Sequence, residues 1–265
     1  MSRSCTFYLT FVCCSTIACA QESAPNPAGI IFYERVSGSA SRLGSVTRLD
    51  STVGYNFNRY FGVDAGIPVY FVHPSSSTQT AVGSRAGNGI GDFYGEVRFT
   101  FANPIVNYFS VLTVTAPTGD TENGFSTGKS TVDWTNHFEH TFGRLTPYAN
   151  LGLANTVSDT MFFVRPFATH GFVAHVEGGA MYRLFPYLYA GGSAYAIAPS
   201  GRQTVVGRIL TTTKTDDHGV ILRGQIPISP YFQLDAGYTR SIVYDLNSVF
   251  FGVGVNVAAA IRKAM

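Results

Sequence analysis

Between residues 47 and 57 the side chains sort by parity: Thr47, Leu49, Ser51, Val53, Tyr55 and Phe57 form one set, Arg48, Asp50, Thr52, Gly54 and Asn56 the other. A period of two belongs to a strand with unlike faces, and both charges take the same face. After Asn58-Arg59, the positions Phe61, Val63, Ala65, Ile67, Val69 and Phe71 alternate with Gly62, Asp64, Gly66, Pro68 and Tyr70. The alternation is clearest where Phe93, Gly95, Val97, Phe99 and Phe101 oppose Asp92, Tyr94, Glu96, Arg98 and Thr100. The same reading predicts strands over 108–117, 131–142, 148–157, 170–182, 187–198, 218–228, 232–243 and 249–259, with a weaker one over 30–36. Twelve strands result.

The longest uncharged run after the first twenty residues, 184–201, is long enough by count to cross a bilayer as a helix. Pro186, Gly191-Gly192 and Pro199 interrupt it, and its tyrosines alternate with Leu188, Ala190 and Ala194. If the chain sits in a membrane, it does so as a closed β-barrel, which alone among strand structures satisfies every backbone group in lipid. The predicted connections support this. Short ones at 58–59, 103–107, 143–147, 183–186 and 229–231 alternate with longer Ser, Thr, Gly and Asn-rich ones at 74–89, 118–130, 158–169 and 199–217. Aromatic residues flank the short turns: Phe57 and Tyr60, Phe101 and Tyr108, Phe142 and Tyr148, Tyr182 and Tyr187, Tyr231 and Phe232. They resemble an interfacial girdle. A soluble sandwich would place its charges on the outside, so the two architectures predict opposite orientations.

Composition narrows the class. Only 13% of the 265 residues are charged and the net charge is +2, which gives no basic face for nucleic acid. All four cysteines, Cys5, Cys13, Cys14 and Cys19, lie in the first twenty residues. There, Arg3, a mostly apolar stretch and Ala18-Cys19-Ala20 have the form of a secretory signal peptide over 1–20, leaving a barrel domain over 21–265. Lipidation of Cys19 is the competing reading.

Candidate chemistry is sparse. The run Gly124 to Ser130 is one residue short of a phosphate-binding loop and precedes a strand. His137 and His140, like His170 and His175, cannot share an ion locally, because odd spacings on a strand point to opposite faces. Same-face neighbours are His137 with Asp133 and Glu139, and His175 with Glu177. These sets read as parts of a hydrated lumen network, with a catalytic or cation-binding role as the alternative. No metal or cofactor is expected. The charged phase predicts that Asp64, Asp92, Glu96, Arg98, Asp133, His137, Glu139, His175, Glu177, Arg223 and Asp235 face the lumen. Val63, Ile67, Val97, Phe99, Leu151, Val176, Leu222 and Val253 should face lipid. Glu96 and Arg98 are expected to reach across strand 108–117 toward Asp133, His137 and Glu139, forming a charged constriction.

At Pro117-Thr118-Gly119-Asp120, followed by Gly124, Ser126-Thr127-Gly128-Lys129 and Asp133, the chain resembles the outer-membrane family associated with the meta-pathway of phenol degradation. The resemblance implies a β-barrel importing aromatic or other small compounds. Read physically, Pro117 ends a strand, Thr118-Gly119 turns the chain and Asp120 bonds nearby backbone. The expectation is an all-β, transmembrane, up-and-down barrel in the bacterial outer membrane, serving as a channel or transporter for passive uptake of a small solute. Its partners would be outer-membrane lipid, the barrel-assembly machinery and that solute. A lipid-acting barrel enzyme, or a purely structural barrel, is the alternative.

Overall fold

A computed structural model describes residues 28–41, 44–74, 87–121, 125–126, 128–155, 168–169, 172–200, 203–205, 208–209, 216–229, 232–243 and 246–257. Residues 1–20, expected to be a signal peptide, together with Gly124, Tyr231 and the residues from 258 onward, lie outside them. The chain forms β1 (Gly29–Ser41), β2 (Gly44–Asn56), β3 (Phe61–Pro74), β4 (Gly87–Ile90), β5 (Phe93–Ala102), β6 (Asn107–Ala116), β7 (Thr131–Glu139) and β8 (Leu145–Ala154). Then come β9 (Ala168–Thr169), β10 (Val173–Phe185), β11 (Leu188–Pro199), β12 (Gln203–Val205), β13 (Arg208–Ile209), β14 (Asp217–Ser229), β15 (Phe232–Ser241) and β16 (Leu246–Asn256).

Each long strand pairs antiparallel with its sequence neighbours, and β1 pairs with both β2 and β16. The sheet therefore closes into a barrel of twelve strands, β4 and β5 being one strand interrupted at Gly91-Asp92. The register on β3 slips there by one residue, from Val69↔Ile90 to Gly66↔Tyr94, which marks a bulge. The remaining short strands β9, β12 and β13 make a separate small sheet.

The barrel's stagger follows from the registers. Tyr33 faces Thr52, which faces Gly66, then Tyr94, Thr115 and Thr131. Extending this around the wall returns to β1 displaced by about 14 residues. With strands about 4.8 Å apart and a rise of about 3.3 Å per residue, that stagger gives a tilt of about 40° and a backbone radius of about 12 Å.

Parity sorts the faces. On β2, β3 and β5 the set containing Arg48, Asp64 and Arg98 is buried, and the set containing Val53, Ile67 and Val97 is exposed. Phe99, Leu151, Val176 and Leu222 are exposed as well, while Val63 and Val253 share that outward phase at intermediate exposure. An apolar exterior around a charged interior inverts a water-soluble protein and suits a bilayer. Among the described residues no helix is long and apolar enough to cross a membrane.

Three details differ from the sequence reading. β1 runs to Ser41, and only positions 42–43 separate it from β2, so the first pair forms a tight hairpin instead of a seven-residue strand and a loop. β7 ends three residues early, at Glu139, and β8 and β10 are displaced by three residues, since a period of two assigns faces but does not fix where a strand begins or ends. Within the expected girdle, Phe57, Phe101, Phe142, Tyr182 and Tyr187 are exposed, but Tyr148 is buried on the inward face.

Candidate functional site: the charged barrel interior

Closure turns the polar parity of every strand into one lining. On β2, the Arg48 guanidinium pairs with Asp50, whose other oxygen accepts from Tyr94 Oη at 2.8 Å. Tyr94 in turn shares a 2.6 Å hydrogen bond with Thr52. Arg98 on β5 donates to both oxygens of Asp64 and, at 2.9 Å, to Asn56 Oδ1. This is the fork-on-carboxylate arrangement a planar guanidinium favours. Glu96 accepts from Thr113 Oγ1 at 3.2 Å, Tyr33 Oη donates to Asp235 Oδ1 at 2.8 Å, and Arg35 lies over the Phe250 ring.

A second network covers β7, β8, β10, β11 and β14. Its hub is Glu177, which accepts from Tyr148 Oη at 2.9 Å, Asn150 Nδ2 at 3.0 Å and Ser193 Oγ at 2.6 Å, and faces Arg223 at 2.7 Å. His137 Nδ1 meets Asn150 Oδ1, and its ring stacks on Tyr148. His137 Nε2 stands 3.2 Å from Glu139, and His175 Nε2 stands 3.2 Å from Asp133. Tyr195 and Ser241 both donate to Asp217.

Glycines on the inward face let these side chains lie across the wall. A Cβ on Gly152 would fall within the His175 imidazole, so this residue lets His175 cross β8 to reach Asp133. Gly54 likewise admits Asp64, and Gly62 and Gly66 admit Arg98 and Tyr94. Gly252 accommodates Tyr33 and Asp235. The interior is packed by neighbours leaning over neighbours.

One end of the wall carries the Pro117-Thr118-Gly119-Asp120 segment. Thr118 Oγ1 accepts from Phe93 N, Gly119 N donates to Asp92 Oδ1, and the Asp120 carbonyl accepts from Phe125 N and Ser126 N. Gly119 packs so closely on the Ile90 carbonyl that a side chain there would collide. These bonds drive Phe125 into the barrel, where it is 3% exposed, stacks on Tyr70 and clusters with Val46 and Val72. Gly128, with φ of 69°, takes the left-handed conformation and donates to Ser126 Oγ, next to Lys129.

Of the eleven residues expected inside, Asp64, Glu96, Arg98, Asp133, His137, Glu139, His175, Glu177, Arg223 and Asp235 are buried. Asp92 is half-buried in the bulge, holding the loop. The expected link from Arg98 and Glu96 across β6 is not made. Arg98 turns instead to Asp64 on β3, its nearer neighbour through Gly62, and Thr113 satisfies one oxygen of Glu96. Ser110 of β6 lies on the outward phase, where it accepts from Trp134 Nε1. His175 pairs with Asp133 across β8, while Glu177 of its own strand turns to Tyr148, Asn150, Ser193 and Arg223. Arg35, Arg48, Asp50 and Asp217 also line the interior. Arg48 and Asp50 were visible in the alternation of β2. Nothing in the loop sequence marked Phe125 as inward.

No protein-family model matches the chain, and no curated protein matches it in sequence. In structure it is similar to an outer-membrane channel from Pseudomonas putida F1, with a TM-score of 0.61 at 12% identity over 88% of this chain and 97% of that one. It is also similar to the NanC porin, with a TM-score of 0.53 at 10% identity over 85% and 100% of the two chains. The translocator domain of the autotransporter NalP from Neisseria meningitidis gives 0.50 at 11% identity over 86% and 87%. The fold is that of outer-membrane β-barrels.

Proposed function

We propose that this protein is an outer-membrane channel through which a small solute passes passively, and that its charged lining sets selectivity. The observation that carries the reading is the inversion of the barrel: the large exposed side chains of the long strands are apolar, and most of the charged ones gather inside. A wall of that kind supports a polar path through lipid, since fixed charges replace part of a permeant's hydration. Among the described buried residues eight carboxylates (Asp50, Asp64, Glu96, Asp133, Glu139, Glu177, Asp217 and Asp235) stand against four arginines (Arg35, Arg48, Arg98 and Arg223). That balance favours cations over anions. The resemblance carried by Pro117 to Asp120 directs the choice of uncharged solutes toward aromatic compounds.

Reconstitution into planar bilayers tests the reading. Under a salt gradient the reversal potential is expected to indicate cation preference, and vesicles loaded with a panel of sugars and phenolic compounds should show which solutes pass. Correctly folded protein with neither conductance nor solute flux would overturn the proposal. Lipid hydrolysis in the same vesicles would replace it with an enzyme.

A further inference from the structure

The two ends of the barrel are charged differently. Among the described residues, the short turns at 57–60, 103–106 and 140–144 and the close of β10 carry Arg59, Arg144 and Arg183 but no exposed carboxylate. The opposite end mixes Asp92 and Asp120 with Lys129. Short turns face the periplasm in bacterial outer-membrane barrels, so the unbalanced positive charge lies at the inner surface of that membrane.

Two of these arginines stand together. β8 and β10 are neighbours in the wall, with Leu145 opposite Tyr182, and one residue further out Arg183 N donates to the Arg144 carbonyl at 2.8 Å. The Arg183 guanidinium reaches over to the Gly143 carbonyl at 3.4 Å, which sets it above the turn that holds Arg144. Both arginines are exposed, and among the described residues neither meets a carboxylate. A guanidinium has five N–H donors, so one carbonyl leaves most of Arg183 available. Like charges on adjacent turns repel, and an anion between them turns that repulsion into attraction. Arg59 differs: it lies over its own neighbour's ring, 4.5 Å from the centre of Tyr60, on a turn nearly across the barrel. Beside the pair the surface is apolar. Leu145, Tyr182 and Leu184 at the strand ends and Phe142 in the turn are all exposed.

We infer that Arg144 and Arg183 form a headgroup site for an anionic phospholipid of the phosphatidylglycerol type, bound on the outside of the barrel at the ends of β8 and β10. The guanidiniums take the phosphate through paired N–H···O bonds, the geometry in which arginine recognises this group. The acyl chains lie along Leu145, Tyr182 and the apolar wall beyond them. A zwitterionic phospholipid offers the same phosphate, but its ammonium group is repelled by the second arginine, so net negative charge is what the pair selects. The site goes beyond the channel reading and does not depend on it: the lipid is a resident of the wall, whatever the lumen conducts.

The test is native mass spectrometry of the folded protein in non-ionic micelles, titrated with phosphatidylglycerol or with phosphatidylcholine of the same acyl chains, β-sheet circular dichroism confirming the fold of each variant. One phosphatidylglycerol should be retained in preference to phosphatidylcholine. Arg144→Gln and Arg183→Gln should each weaken it by about fivefold and the double variant by about 25-fold. Arg59→Gln should leave it unchanged. Leu145→Ser should weaken both lipids alike, because it removes chain contact and no charge. Millimolar inorganic phosphate should not displace the lipid, and displacement would show a phosphate site in place of a lipid site. Equal retention of the two lipids by wild type would overturn the inference. Equal losses from all three arginine variants would overturn it too, leaving only diffuse attraction to the basic end. A lipid-binding barrel that does not conduct would count against the channel reading alone.

Discussion

A glycine decides what His175 can reach. With any side chain at position 152, the imidazole could not cross β8 to Asp133. Gly152→Ala is expected to cost about 1–3 kcal/mol through overpacking, and the Gly152→Ala/His175→Ala double variant should regain most of that loss, as urea unfolding in micelles would show. Strong non-additivity is the expected result, and simple addition of the two effects would refute the packing account. Arg98 offers the electrostatic counterpart. Replacing it by alanine strands the Asp64 carboxylate and should cost about 3 kcal/mol, leaving a folded barrel whose reversal potential shifts toward cations. Adding Asp64→Asn should bring that potential back toward the wild-type value. An unchanged potential in folded Arg98→Ala would show that the residue does not influence permeation.

The mouth segment is an element in its own right, because its hydrogen bonds run to the bulge between β4 and β5 and its aromatic tip is inside the wall. Phe125→Ala should lose about 3 kcal/mol of local docking and raise single-channel conductance, whereas Phe125→Tyr should leave it near wild type. Equal conductance in all three would mean that the loop does not narrow the path. Strand parity was legible from residues alone wherever a charge marked one phase, as at Arg48, Asp64, Glu96 and Arg223. It was less legible in β1, where Tyr33 and Arg35 give two clues and the small residues of 37–41 give none, so the hairpin to β2 was missed. The side-chain partners were not legible at all. Parity assigns a face, but whether Arg98 turns toward β3 or β6 depends on which neighbour offers a hole. That requires the register, which the alternation leaves free.

At the scale of the whole barrel, the exterior sets the condition for membrane insertion. Leu222, 58% exposed near the middle of β14, should not tolerate arginine: Leu222→Arg is expected to cost about 2–4 kcal/mol of folding into vesicles, and Ile228→Arg near the strand end only about 0–1. Equal penalties at the two positions would contradict a membrane centred on the strands. The interior carries a different constraint. Since Asp64 occupies the space over Gly54, Tyr94 that over Gly66 and His175 that over Gly152, each bulky residue and its glycine form one unit of heredity, although ten to twenty-eight positions separate them in the chain. Among descendants of this gene the two should be lost or exchanged together. The lining would then diversify in paired steps, each swapping a hole and its occupant, while the alternating exterior drifts one apolar residue at a time.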